Sequence, residues 1–213
     1  MADYALMNQC LYEGKANEVL AMTEPALAEG RPVDEVLNRG LIDGMSVVGE
    51  DFKHNILYVP EVLIAARAMK AGMAILKPLL VAEGGDVKPA GTIVMGTVKG
   101  DLHDIGKNLV CMMAEGAGFK IIDIGVDSSL EKFMEAVEEH EADIVGMSAL
   151  LTTTMPYMAK VIDGFADADM DEIVMCVGGA PVSQVYAEEI GADGYGADAP
   201  AAVDMFKRLR NLT

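Results

Sequence analysis

The feature that most constrains this chain is a change of hydrophobic period near residue 85. Before it, apolar residues recur every three or four positions; after it, short apolar runs alternate with helical segments. The first pattern belongs to helices that bury one stripe. Val33, Val36, Leu37, Leu41, Met45 and Val48 follow Pro32, and Val62, Leu63, Ala66, Met69, Met73 and Leu76 follow Pro60. Proline suits a first helical turn, where its missing N–H would have had no partner. Asn17 is expected to cap a helix carrying Val19, Leu20, Met22 and Ala26, ended by Gly30. With Tyr4–Tyr12 this makes four helices on short connections, a four-helix bundle over residues 1–85. The stretch from Ala82 to Pro89, with two glycines and no apolar run, reads as a linker and hinge.

The second pattern fills residues 86–213. Strands are expected at Thr92–Val98, Lys120–Gly125, Asp143–Ser148 and Glu172–Gly178, with a short fifth at Tyr195. Between them lie helices over Lys107–Gly116, Ser129–His140 and Pro156–Phe165, one opening at Pro181, and a last one over Ala199–Leu209. Strands alternating with helices require a five-stranded parallel sheet covered on both faces. Ligands of such sheets bind at the carboxyl ends of the strands. The loops that matter therefore start at Lys99, Gly125, Ala149, Gly178 and Gly196.

The loop after the first strand, Gly100-Asp101-Leu102-His103-Asp104-Ile105-Gly106-Lys107-Asn108, carries the most chemistry. A histidine at the carboxyl edge has a ring nitrogen to offer a metal. Asp101, two residues earlier, can accept the other ring N–H, fixing tautomer and orientation. Gly106 is expected to let the backbone turn close to a large ligand. Taken alone, Asp-x-His in a polar loop is equally a capped turn. The loop lacks G-x-x-x-x-G-K-[ST] and G-x-G-x-x-G, so neither phosphate-binding pattern applies.

Composition excludes other classes. A formal charge of −18 would repel nucleic acid, whose binding rests on Lys and Arg, and an anionic membrane surface. No Trp, five Phe and six Tyr make a poor base-stacking platform. No apolar run approaches a membrane span, and the N-terminus carries no signal-peptide pattern, so a cytoplasmic setting is expected. Cys10, Cys111 and Cys176 fit neither a disulfide framework nor a CxxC metal site. His54 and His140 have no second ligand at a structural-zinc spacing and read as solvated.

Spacing to the later loops adds specificity. D-x-H-x-x-G at Asp101–Gly106 is followed by S-x-L at Ser148–Leu150 and G-G at Gly178–Gly179, on three strand ends. This constellation resembles the cobalamin-binding module of methionine synthase. It is still more similar to the free-standing corrinoid proteins of anaerobic methyltransferase systems, from about Leu20 to Lys207. The resemblance implies a helical cap followed by a Rossmann-like, flavodoxin-type domain that binds cobalamin base-off, with His103 replacing the cofactor's own dimethylbenzimidazole on cobalt. It implies that Asp101 hydrogen-bonds His103 and that Ser148 hydrogen-bonds Asp101. Gly100, Leu102, Asp104, Ile105 and Gly106 would line the loop, while Ser148, Leu150 and Thr152 lie beside the corrin and its nucleotide tail. Gly178 and Gly179 would keep the tail's slot clear. In the helical half, Val47–Phe52 followed by Leu57–Pro60 resembles the family's cap, where Phe52 and Val59 would shield the upper corrin face. By spacing alone those two are equally ordinary helix core.

The function so implied is a methyl carrier cycling between Co(I) and methyl-Co(III). Its partners would be a donor-specific methyltransferase, an acceptor methyltransferase and a reductive activase. Methanol, methylamines, betaines and aryl methyl ethers all remain open as donors. The alternatives are the small subunit of an adenosylcobalamin mutase, a corrinoid sensor, or a flavodoxin-like domain with no cofactor.

Overall fold

The computed structural model describes residues 2–82 and 89–211. The chain divides into two compact units, Met1–Lys88 and Pro89–Thr213. The segment expected to act as hinge falls mostly on residues 83–88, outside the described residues.

In the first unit, α1 spans Tyr4–Tyr12, and the Asp3 side chain caps it by accepting from the Leu6 amide at 3.0 Å. Helix α2, Ala16–Ala28, starts two residues earlier than expected. Its N-cap is Lys15 with no side-chain bond, so Asn17 sits inside the helix and caps nothing. The helix after Pro32 is not uniform. It runs as α3 (Val33–Glu35), a π-helical stretch Val36–Ile42 and α4 (Asp43–Lys53) without a break. Helix α5, Val59–Ala82, has Pro60 in its first turn, as proline prefers. Leu11, Val19, Val36, Leu41, Val48, Val62 and Leu76 are fully buried, so the stripes seen in sequence form this unit's core.

The second unit is a five-stranded parallel sheet in the order β2-β1-β3-β4-β5. The strands are β1 Thr92–Thr97, β2 Lys120–Asp123, β3 Ile144–Ser148, β4 Val174–Gly178 and β5 Gly194–Gly196. The crossovers are α6 Ile105–Gly116, α7 Leu130–His140, α8 Pro156–Asp167 and α9 Gln184–Glu189, and α10 Ala199–Leu209 closes the fold. Helix α9 opens at Gln184 with Ser183 as its cap, not at Pro181. Every residue of β1 is buried, the mark of a central parallel strand. On one face Phe133, Met158 and Phe165 pack with Val94, Val145 and Val177. On the other, Phe119 and Phe206 meet edge to face at 6.0 Å. Burying each phenyl ring contributes roughly 1.5–3 kcal/mol. The strand order reverses between β1 and β3, so the loops leaving their carboxyl ends open beside each other at the switch point.

Candidate functional site

The loop leaving β1 turns at Gly100, whose φ of +86° is a conformation that glycine adopts without strain. Its N–H donates to Asp127 Oδ1 at 2.7 Å, and the Asp127 N–H donates to the Asp101 carbonyl at 3.0 Å. That exchange turns the Asp101 side chain inward, where it is fully buried. Oδ2 accepts from the Leu150 amide at 2.8 Å, the Leu151 amide at 3.3 Å and Thr154 Oγ1 at 2.7 Å. Oδ1 accepts from the His103 amide at 3.1 Å and from His103 Nδ1 at 2.7 Å. The carboxylate thus sews the loop after β1 to the loop after β3.

Burial by itself pushes the Asp101 carboxyl up. The donors from Leu150, Thr154 and His103 outweigh it and hold the group well below the usual carboxylate range. Asp101 is therefore ionised and can only accept, so the proton of the His103 ring is on Nδ1 and the lone pair is on Nε2. The imidazole is half-exposed. Beside it in the loop, Leu102 and Ile105 are 72% and 81% exposed, unusual for large apolar side chains. A Cβ at Gly106 would meet nothing. Among the described residues no three His, Cys, Asp or Glu gather to hold a metal. A metal at Nε2 would have to bring its other ligands with it. A flat macrocycle with a central metal fits these features: one imidazole nitrogen, apolar side chains beside it, and open space at Gly106.

Several expectations change. Asp101 accepts its hydroxyl bond from Thr154, not from Ser148, because the β3 loop turns back over residues 151–155 and brings Thr154 inward. Ser148 stays at the end of β3, where its carbonyl accepts from the Val98 amide at 3.0 Å. Gly106 makes no turn; it lies in the first turn of α6 without a positive φ, and Gly100 makes the turn instead. At Gly178 and Gly179 the chain's own packing also favours glycine. A Cβ at 178 would lie 2.9 Å from the Gly196 carbonyl oxygen. At Gly179, with φ +133°, it would strike the Ala149 carbonyl. The ends of β3, β4 and β5 are that close.

Leu150 is exposed, as are Thr152 and Asp104. In the helical unit Phe52, in the last turn of α4, is half-buried, and Val59, first in α5, is exposed. Tyr12 Oη donates to Asp51 Oδ2 at 2.8 Å, fixing that end of α4 to α1. His54 is exposed beside Glu50. Cys111 and Cys176 are buried; burial pushes the Cys111 thiol up to about 12 and the Cys176 thiol higher still, so neither is a nucleophile.

Sequence reasoning missed Thr97, Thr154, Asp127 and Lys107. Thr97 Oγ1 donates to the His103 carbonyl at 2.8 Å. Lys107, almost wholly buried, donates to Asp123 Oδ1 at 2.6 Å and so ties α6 to the end of β2. The run Thr152-Thr153-Thr154 before Pro156 did announce a hydroxyl near a helix start, with the register open.

Fold and site together define an α/β domain whose sheet edge presents one histidine, oriented by a buried carboxylate, among exposed apolar side chains. Comparison with known proteins gives the family. Residues 91–204 match the B12 binding domain, and residues 5–77 match a second B12 binding domain model. The chain is 43% identical over 196 residues to the dimethylamine corrinoid protein of Methanosarcina barkeri, covering 92% of this chain and 91% of that one. It is 39% identical over 205 residues to a corrinoid protein of Desulfitobacterium hafniense (strain Y51), covering 95% of each. The methanol:cobalamin methyltransferase complex MtaBC from M. barkeri superposes with a TM-score of 0.87 at 27% identity, over 97% of this chain and 79% of that one. This chain belongs to the B12-binding corrinoid proteins, and its cofactor is cobalamin. No helix among the described residues is long and apolar enough to cross a membrane.

Proposed function

We propose that this protein is a methyl carrier that binds cobalamin base-off, and that His103 Nε2 is the atom that would hold its cobalt. The bound corrinoid supplies a metal that accepts a methyl group and gives it up again. The chain's own residues do the rest. Asp101 holds the proton on Nδ1, and so the lone pair on Nε2, and it lies where it would stabilise an imidazolium. Leu102 and Ile105, exposed beside His103, would give a bound corrin apolar contact and keep water from its metal. The observation that carries this reading is the 2.7 Å Asp101–His103 bond, which leaves Nε2 on a half-exposed ring flanked by exposed apolar residues.

Donor and acceptor chemistry then belongs to separate enzymes, a donor-specific methyltransferase and an acceptor methyltransferase, with a reductive activase restoring the working cobalt state. The relative named for dimethylamine favours a methylated amine as the donor's substrate. The test is the absorption spectrum of protein reconstituted with hydroxocobalamin, wild type against His103→Ala. The variant should fold, bind corrinoid more weakly, and show a cobalt without the histidine nitrogen. An identical spectrum would remove His103 from the cobalt.

A further inference from the structure

We propose that Thr97 is a positioning residue for His103, holding the ligand's backbone so that only its side chain moves when the ring binds or leaves the metal. This inference rests on His103 being the ligand. Thr97 ends β1 and is fully buried in a strand whose other interior residues include Ile93, Val94 and Met95. Its backbone is already satisfied by the sheet and its neighbours: the amide donates to the Gly125 carbonyl at 2.9 Å, and the carbonyl accepts from the Ser128 amide at 2.9 Å. The hydroxyl is therefore surplus to strand pairing. A buried hydroxyl is costly without a partner, and valine would fill the same strand position with the same branching. Here the partner is the carbonyl of His103 at 2.8 Å.

The consequence lies in what remains free. The His103 amide donates to Asp101 Oδ1, its carbonyl accepts from Thr97, and Gly100 is held by Asp127 at the loop's other end. Asp101 fixes the ring's tautomer, but its two bonds to His103 share one oxygen and leave the peptide after His103 unanchored. Thr97 anchors that peptide. With both backbone groups tied, Nε2 can move only by rotation about the side-chain torsions, and the loop returns it to one position.

The test compares Thr97→Val, which removes the hydroxyl and keeps the branching, with Thr97→Ser, which keeps the hydroxyl. In corrinoid-free protein, the His103 carbonyl carbon shift and the HN–Hα couplings of His103 and Asp104, which report the backbone on either side of that carbonyl, are read by NMR. In reconstituted protein, corrinoid affinity and the nitrogen coupling in the cobalt(II) EPR spectrum are read, with His103→Ala as the reference for an absent ligand. We expect Val to shift the carbonyl resonance, average the HN–Hα couplings and weaken corrinoid binding about 10–100-fold, the range for loss of a ligand's supporting bond. Ser should restore all of these. Val matching wild type in couplings and affinity overturns the proposal, and so does Ser failing as badly as Val, since packing would then be the cause. If Val does not fold, Thr97→Ala read against Ser decides in the same way. If His103→Ala leaves the cobalt spectrum unchanged, the ligand assignment has failed, while the couplings in corrinoid-free protein still judge the clamp.

Discussion

Replacing Asp101 by asparagine changes one atom and should reverse the ring's tautomer. Oδ2 receives three donors, from Leu150, Leu151 and Thr154, two of which are backbone amides that cannot turn away. The amide oxygen of Asn must take that place. Its NH2 then occupies the Oδ1 position, 3.1 Å from the His103 amide and 2.7 Å from Nδ1. The amide contact sets donor against donor, while the ring escapes by accepting at Nδ1 and moving its proton to Nε2. The opposite rotamer is worse, because it sets NH2 against two backbone amides.

The orphaned His103 N–H costs about 1–3 kcal/mol, and three bonds to a neutral rather than charged acceptor lose roughly 1 kcal/mol each, partly offset by no longer burying a charge. A net loss of about 2–4 kcal/mol in folding stability at pH 7 follows. Its pH dependence has a definite sign. Asp101 is held below the ordinary carboxylate range, so its contribution is present above about pH 4 and declines as pH falls further. The gap between wild type and Asp101→Asn should narrow below that pH in urea titrations. Long-range nitrogen–proton NMR of the imidazole in corrinoid-free protein should show Nδ1–H in the wild type and Nε2–H in the variant. The loaded variant should lose nitrogen ligation although its histidine is intact. A variant that keeps the Nδ1–H tautomer and wild-type ligation would refute this reasoning.

Two further predictions follow from the same loops. Thr154→Val should weaken the hold on Asp101, lowering stability by about 1–3 kcal/mol. Ser148→Ala should leave Asp101 untouched; the two are separated by urea titration, and equal losses would contradict the geometry. Gly179→Ala places a Cβ against the Ala149 carbonyl at a backbone φ of +133°, so it should destabilise by about 3 kcal/mol or more. A cost under about 1 kcal/mol would mean that the strand ends can part.

How much of this was legible in the chain depends on the distance over which the information acts. The period change, the strand and helix positions and the Asp101–His103 pair are local, because residues two to four apart share a face or a turn whatever surrounds them. The two-unit plan and the Asp101–His103 pair could therefore be read directly. The partner of Asp101 could not. Thr154 is 53 residues away, and Ser148 and Thr154 are both hydroxyl residues near the same strand end. Only the path of the β3 loop decides which one turns inward. Nothing local announces the burial of Lys107, which depends on Asp123, sixteen residues on, meeting it from β2. Asn17 fails as a cap because its helix starts before it, with Lys15 at the N-cap position.

The glycine pair shows the division most clearly. The sequence by itself determined that Gly178 and Gly179 stand at a strand end facing the ligand edge of a parallel sheet. Only the tertiary structure decided why they must be glycine: the Ala149 and Gly196 carbonyls approach so closely that a Cβ would collide with backbone. Periodicity reports which face of an element is buried, because burial follows from geometry within that element. It carries no record of the gap between elements, which is set when whole strands pack and every backbone group must find room and a partner.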